Sequence, residues 1–289
     1  MPLTALLLVL GGAVCHSVWN LLIKTEPRRV EVQFGAIAVG AVLAAPVLIV
    51  YPIGTLSASA WLIIVVSALF ETAYVFSLSA AYGAGDLSLV YPVARGTAAF
   101  VVAPLAVVVL GERLSVAGVL GIALIVLGIA VHATEDRRSA PADGFSVLLR
   151  GRAFRFAVLT GLMTAGYSLV NKVGVTTVPV PLYGFLVFAL DTVLINAVLL
   201  LRRDVGWPLR RGGPWRVTIG VGVLMVGAYF AVLSAMAQAR IAYVVAAREV
   251  SIVIATALGT LVLGEARSVA RLSGAFVIFL GLVLIALSR

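Results

Sequence analysis

Ala94-Arg95, Leu110-Gly111-Glu112, Ser115-Val116-Ala117, Gly121 and Gly128 return 153 residues later, without a gap. The second copy reads Ala247-Arg248, Leu263-Gly264-Glu265, Ser268-Val269-Ala270, Gly274 and Gly281. Both copies lie in apolar sequence, and each holds one arginine inside a hydrophobic segment. An earlier block repeats as well. Trp19-Asn20-Leu21-(2)-Lys24 matches Tyr167-Ser168-Leu169-(2)-Lys172 at an offset of 148. The change of offset falls between the blocks, where a loop absorbs it. A duplicated hydrophobic unit with a paired internal charge points first to a transporter.

Composition sets the solvent. The chain is 62% apolar and 11% charged, with a mean hydropathy of +1.16, whereas soluble domains are about half apolar and a quarter charged. Lipid is therefore its main partner. The net charge of +9 gathers in loops between apolar runs and forms no basic patch interleaved with aromatics, so nucleic acid is excluded as a partner. The single cysteine, Cys15, rules out an internal disulfide and reads as packing. Residues 1–15 carry no Lys or Arg, which argues against a secretory signal and for a retained first helix.

A spanning helix needs roughly 20 apolar residues. That rule predicts ten: 3–23, 32–50, 59–82, 87–109, 115–133, 154–173, 182–201, 215–238, 242–263 and 269–287. The runs are too long and continuous for barrel strands. The polar stretch 134–153 divides them five and five, giving repeats over 1–133 and 154–289. Five helices per repeat is odd, so the second repeat enters from the opposite side. The fold class is an all-α integral membrane protein of ten transmembrane helices in two inverted five-helix repeats. Lys and Arg concentrate after the odd-numbered helices, as at Arg28, Arg29, Arg137, Arg138, Arg202 and Arg203. The positive-inside rule then puts both termini outside the cytoplasm. Trp61, Trp207 and Trp215 stand at predicted helix starts, as interfacial anchors.

Charges inside these helices are the candidate site. Arg95 lies about 12 Å into helix 4, at 1.5 Å per residue, and Arg248 is slightly shallower in helix 9. Guanidinium grips carboxylates or phosphates through a fork of donors. The competing reading is a structural ion pair with Glu71, Asp191 or Glu249. Glu71, near Tyr74 in helix 3, matches Leu224 in the other repeat, so it is not duplicated scaffold. Glu71 and Asp191 are candidates for proton carriage or amine binding, or are charge partners of the arginines. Glu249 points about 100° away from Arg248 and is expected to meet another helix. Tyr91 shares a helix face with Arg95, and Pro92 between them frees a backbone acceptor or merely kinks the helix. His16, Asn20 and Lys24 form one polar stripe on helix 1, with Trp19 adjoining. Lys172 and Asn171 take the matching end of helix 6. His16 is a candidate titrating group or a packing histidine. Glu112 and Glu265, at symmetric positions, read as structural caps on helix 5 or 10 or as links across a tight turn. The glycines of helix 5 suit close helix packing or a homodimer contact.

Several of these marks together resemble the EamA-type branch of the drug/metabolite transporter superfamily. They are the two five-helix halves, Gly111-Glu112 and Gly264-Glu265, His16-(2)-Trp19-Asn20-(3)-Lys24, and Tyr91-Pro92-(2)-Arg95-Gly96. The resemblance covers nearly the whole chain. It implies a secondary transporter, often an exporter, with a central cavity lined by both halves. It also implies cytoplasmic termini, the reverse of the charge pattern.

The combined reading is secondary export of a small polar metabolite, amino acid or organic anion by alternating access. Substrate binding falls to Arg95, Arg248, Tyr91, Asn20, Trp19, Lys24, Lys172 and Tyr74. Coupling or charge balance falls to Glu71, Asp191, Glu249 and His16. No cofactor or metal is expected. The Ala/Val/Arg-rich, Lys-poor composition suggests a bacterial inner membrane. A lipid-linked sugar flippase is the alternative, followed by a non-transporting partner or a membrane enzyme. The last would need a nucleophile, base or metal set, and there are only two histidines, His16 and His132.

Overall fold

A computed structural model describes residues 1–84, 87–132, 151–201, 214–262 and 269–288. The expected link at 134–153 falls almost wholly outside them. The described chain is nearly all helix. The first repeat holds α1 (Leu3–Thr25), α2 (Arg29–Ala44), α3 (Val47–Val50), α4 (Ala58–Ala84), α5 (Leu87–Leu110) and α6 (Val116–His132). The second holds α7 (Arg152–Thr177), α8 (Val180–Leu201), α9 (Trp215–Gln238), α10 (Ile241–Arg248), α11 (Val250–Val262) and α12 (Val269–Leu287). Among the described residues, nine segments are long and apolar enough to span a bilayer, and Val116–Val131 is a shorter apolar tenth.

Two passes differ from expectation. The second is split, because Pro46 has no N–H with which to continue the ladder of α2 into α3. The ninth breaks at Glu249, which turns with φ −67° and ψ −9° between α10 and α11. Bonds from Glu249 N–H to Ala246 O and from Ile252 N–H to Glu249 O span three residues, the tighter 3₁₀ pattern. No glycine or proline marks this break in the sequence.

Contacts obey an exchange of repeats. α1 packs on α9 as α7 packs on α4, and α2 packs on α9 as α8 packs on α4. α5 lies on α7 as α10 and α11 lie on α1, while α6 pairs with α12. At that last pair the glycine faces close on each other. A Cβ on Gly121 would stand 2.7 Å from the Gly281 carbonyl oxygen, and one on Gly128 2.8 Å from that of Gly274. Only hydrogen fits at such approaches. These faces are therefore occupied within the chain.

Polarity is inverted relative to a soluble domain. Leu7, Ile49, Phe100, Val108 and Phe276 lie exposed on the outside, whereas Ser67, Thr72, Asn171, Asp191, Glu249 and Ser251 are buried. A bilayer removes any penalty for the first set and forces the second inward. Trp61 and Trp215, at helix starts, are partly exposed as anchors should be. The alternation of passes brings both termini to one side, called here the terminal face. The amino group of Met1 donates to the Ser288 carbonyl there, at 2.6 Å.

Candidate functional site

A cavity of about 150 Å³ occupies the middle of the bundle. Eight passes line it, all except α6 and α12. His16 and Trp19 come from α1, Gln33 from α2, Glu71 and Tyr74 from α4, and Arg95 from α5. The second repeat adds Tyr167 and Asn171 from α7, Phe188 and Asp191 from α8, Tyr229 from α9, Arg248 from α10 and Ser251 from α11. Trp19 and Tyr167 are repeat equivalents, and both reach the cavity.

The two arginines differ. Arg95 Nε lies 3.0 Å from Glu249 Oε2, and both side chains are largely buried. Its Nη2 also donates to Ser251 Oγ at 3.3 Å. Ser17 Oγ donates to the Ser251 carbonyl at 3.1 Å, tying α1 to the same turn. The break at Glu249 thus aims its carboxylate across the repeat boundary at Arg95. By contrast, no hydrogen bond or ion pair reaches the Arg248 guanidinium among the described residues, although it lines the cavity.

A second cluster lines the same cavity. Glu71 Oε1 accepts from Tyr229 OH at 2.7 Å and from Asn171 Nδ2 at 3.0 Å. Asn171 Oδ1 in turn accepts from Ser67 Oγ and from Tyr183 OH, at 2.5 and 2.7 Å. Asp191 Oδ1 accepts from Thr72 Oγ1 at 3.0 Å. Thr72, which follows Glu71 in α4, thereby ties Asp191 to the same turn. Edge-to-face rings frame the cluster. Phe188 meets Tyr229 at 4.8 Å, and Tyr74 meets Tyr167 at 5.7 Å between centroids.

The sequence carries the same architecture in its family match. Residues 3–134 match the EamA-like transporter family, and residues 152–287 match it again. The chain belongs to the EamA-like transporter family. A crystal structure of another protein is similar over 99% of this chain and 98% of that one, with a TM-score of 0.76 and 17% identity, a likeness of fold. No curated protein matches the sequence.

Within this EamA-like chain, the expected residues divide. Arg95, Arg248, Trp19, Tyr74, Glu71, Asp191 and His16 line the cavity. Glu249 reaches it through Arg95. His16 stacks edge-on with Trp19 at 4.8 Å. Asn20 is turned back on its own helix, donating to the His16 carbonyl at 2.7 Å. Lys172 is drawn to the terminal face, where its Nζ donates to the carbonyls of Met236 and Ala239 at 2.5 and 2.8 Å, at the C-terminal end of α9. The side chains of Lys24 and Tyr91, and the whole of Glu265, lie outside the described residues.

Glu112 does not cap helix 5. Gly111, at φ +66°, closes α5 in the left-handed region and turns the following residue back. Glu112 then caps α10, accepting from Ile241 N–H at 2.6 Å and Ala242 N–H at 3.3 Å. A carboxylate there meets unsatisfied donors and the positive end of the helix dipole. Tyr243 OH accepts from Ser115 N–H at 2.9 Å beside it. Leu182, Tyr183, Leu233, Met236 and Ile241, all fully buried, belong to one hydrophobic cluster, from which Leu233 and Met236 also reach the cavity.

Ser17, Thr72, Tyr183, Tyr229 and Ser251 escaped the sequence reading. Each is a lone hydroxyl in an apolar run, and none is repeated in the other half, so no spacing signals it.

Proposed function

We propose that this chain is a secondary exporter of a small zwitterion or organic anion, working by alternating access, with Arg248 as the clamp for the anionic group. One observation carries the reading. Arg248 faces the central cavity with no hydrogen bond or ion pair to a described residue, while its repeat partner Arg95 is matched by Glu249. A guanidinium held in a low-dielectric cavity attracts a carboxylate or phosphate far more strongly than it would in water. A cavity of about 150 Å³ lined by eight passes favours a small solute over a lipid-linked sugar. Arg95, in this reading, belongs to the seam between repeats and shapes the cavity wall. The Lys and Arg distribution supports cytoplasmic odd-numbered loops and extracytoplasmic termini in a bacterial inner membrane. With that orientation the cavity, which extends to Gln33 in the first turns of α2, approaches the cytoplasmic side.

The test is ligand-induced stabilisation of the purified protein against amino acids, dicarboxylates, phosphate esters, neutral sugars and lipophilic cations. A ligand at about 100 times its Kd raises stability by roughly 2.7 kcal/mol. The expected result is a shift with carboxylate or phosphate ligands that disappears in Arg248→Ala. Shifts confined to neutral sugars or lipophilic cations, or unchanged in Arg248→Ala, would overturn the reading.

A further inference from the structure

We propose that a cleft on the terminal face holds the phosphate of an anionic phospholipid, gripped by Arg240. The cleft measures about 610 Å³ and, among the described residues, shares no lining residue with the central cavity. It forms where helix ends meet: Pro2 before α1, Gln238 closing α9, Arg240 and Tyr243 opening α10, and Leu287 and Ser288 closing α12. Ends of spanning helices stand at the level of lipid headgroups. Most polar groups here are already spent. Gln238 accepts from Thr4 Oγ1 at 2.7 Å and donates to the Ser234 carbonyl at 3.1 Å. Ser288 Oγ donates to the Ile285 carbonyl at 2.7 Å. Arg240 is different. Its guanidinium stands 5.6 Å from the centre of the Tyr243 ring, and no carboxylate of a described residue pairs with it. Tyr243 is a fixed platform, fully buried, with its hydroxyl held by the Ser115 N–H at 2.9 Å. A guanidinium laid on an aromatic ring keeps its N–H edge available for a phosphate.

Charge favours an anion here. Among the described residues the terminal face has one acid, Glu112, and it spends its carboxylate on the N–H groups of Ile241 and Ala242. Against it stand three cations, Arg113, Lys172 and Arg240. The Lys172 ammonium is committed to the Met236 and Ala239 carbonyls, so Arg240 is the cation that lines the cleft with its charge unmatched. A basic pocket between helix ends suits an acidic headgroup. The apolar rim argues for a lipid rather than a free ion. Leu287, 72% exposed, lines the cleft, and Leu3, 69% exposed, follows Pro2. Among the described residues, α1 and α12 are not packed along each other, and both pack on α10 and α11 instead. Acyl chains hanging from a phosphate on Arg240 lie against these leucines, a contact that inorganic phosphate does not make. The site stands whether or not the chain exports an anion.

Native mass spectrometry tests it on the whole protein, purified in a neutral detergent and titrated with phosphatidylglycerol. The measurement counts retained lipids and gives their Kd. The expected result is one tightly retained phosphatidylglycerol. Its Kd rises by about tenfold or more in Arg240→Gln, as loss of a charged hydrogen bond predicts. The rise is smaller in Arg240→Lys, which keeps the charge but not the fork. Arg113→Gln, which removes an exposed cation on the same face, leaves the Kd unchanged. An unchanged Kd in Arg240→Gln overturns the site. The wild type alone supplies a second test, independent of how any variant folds. Retention of phosphatidylcholine or diacylglycerol as strong as that of phosphatidylglycerol overturns the site, since neither brings a net negative charge. Displacement of the lipid by inorganic phosphate overturns it too, and would make the cleft a small-anion site.

Discussion

Breaking the Arg95–Glu249 pair one charge at a time tests whether it is a structural seam. The two groups approach to 3.0 Å, with side chains 11% and 2% exposed. At an effective dielectric of about 20, their attraction is about 5 kcal/mol before desolvation. Desolvation offsets much of that, so an apolar pair in their place would be close to neutral. Leaving either charge alone costs roughly 3–5 kcal/mol. Arg95→Met strands a carboxylate that is almost wholly buried. Glu249→Leu strands a guanidinium that keeps its hydrogen bond to Ser251 and some access to the cavity. The first should be the more damaging. At about 2–4 °C per kcal/mol, each single variant should lose roughly 6–20 °C in apparent Tm, and the double variant should regain most of it.

The assay is thermal unfolding in detergent, on variants first shown to insert at wild-type levels. A coupling energy above about 1.5 kcal/mol in the double-mutant cycle is the expected outcome. Losses that simply add would refute the seam. So would an Arg95→Met protein of wild-type stability that no longer responds to any ligand, since that is the behaviour of a substrate clamp.

Other contacts give sharper, smaller tests. Glu112→Ala removes a charged cap from α10 and should lower stability by about 1–2 kcal/mol, with Glu112→Gln losing less; equal Tm for Glu112→Ala and wild type would deny the cap. Lys172→Met leaves two carbonyls of α9 without their ammonium donor, so a loss of roughly 1.5–3 kcal/mol is expected, with ligand-induced shifts retained. Loss of those shifts at unchanged stability would return Lys172 to the binding site. Gly128→Leu should fail to insert as folded protein, because its Cβ alone would meet the Gly274 carbonyl oxygen at 2.8 Å; normal expression and Tm would place α6 farther from α12 than described. Val108→Leu, on the exposed face, should change nothing by the same measurement.

Much of the fold was legible because lipid leaves few options. A run of about 20 apolar residues can only be a helix, and a repeat with an odd number of them can only be inverted. Leu110-Gly111-Glu112 announced the end of α5, since a glycine there admits the left-handed turn. What Glu112 would touch was not legible, because its partner, α10, is 129 residues away and belongs to the other repeat. The break at Glu249 was hidden for a similar reason. Its local sequence is helical, and the turn is held by the cross-repeat ion pair to Arg95. Buried arginines and acids stood out as expensive in lipid, so the cavity's charges were visible beforehand. Their pairing was not: helical spacing says which side chains share a face, never which helix lies opposite. Lys172 shows the limit most plainly, since snorkelling along α7 toward the terminal face takes its ammonium away from the cavity that Asn171, one residue earlier, enters.

The duplication itself argues for where function lies. Glycines, the Gly-Glu pairs and the two arginines occur in both halves of the sequence, which argues that they serve what both halves share. The buried acids do not. The position equivalent to Glu249 is Gly96, and that equivalent to Glu71 is Leu224. One substitution of this kind is enough to split a symmetric pair of arginines into unlike members. Glu249 neutralises Arg95, and the glycine at 96 leaves Arg248 without a counterpart carboxylate from α5. A second departure adds Glu71 to the lining of the cavity, which Asp191 also reaches. The cavity is therefore lined by cationic and acidic groups that are not related by the repeat, although it is built from two copies of one unit. In the alternating access we propose, a symmetric scaffold supplies two alternative openings of equal design, and a ligand with two unlike ends needs the asymmetry that these three acids introduce. Restoring the symmetry by Glu249→Gly would leave two similar arginines facing the centre. The same purified protein should then bind dianions such as succinate or phosphate in preference to zwitterions, and an unaltered ligand preference would show that the acids do not set it.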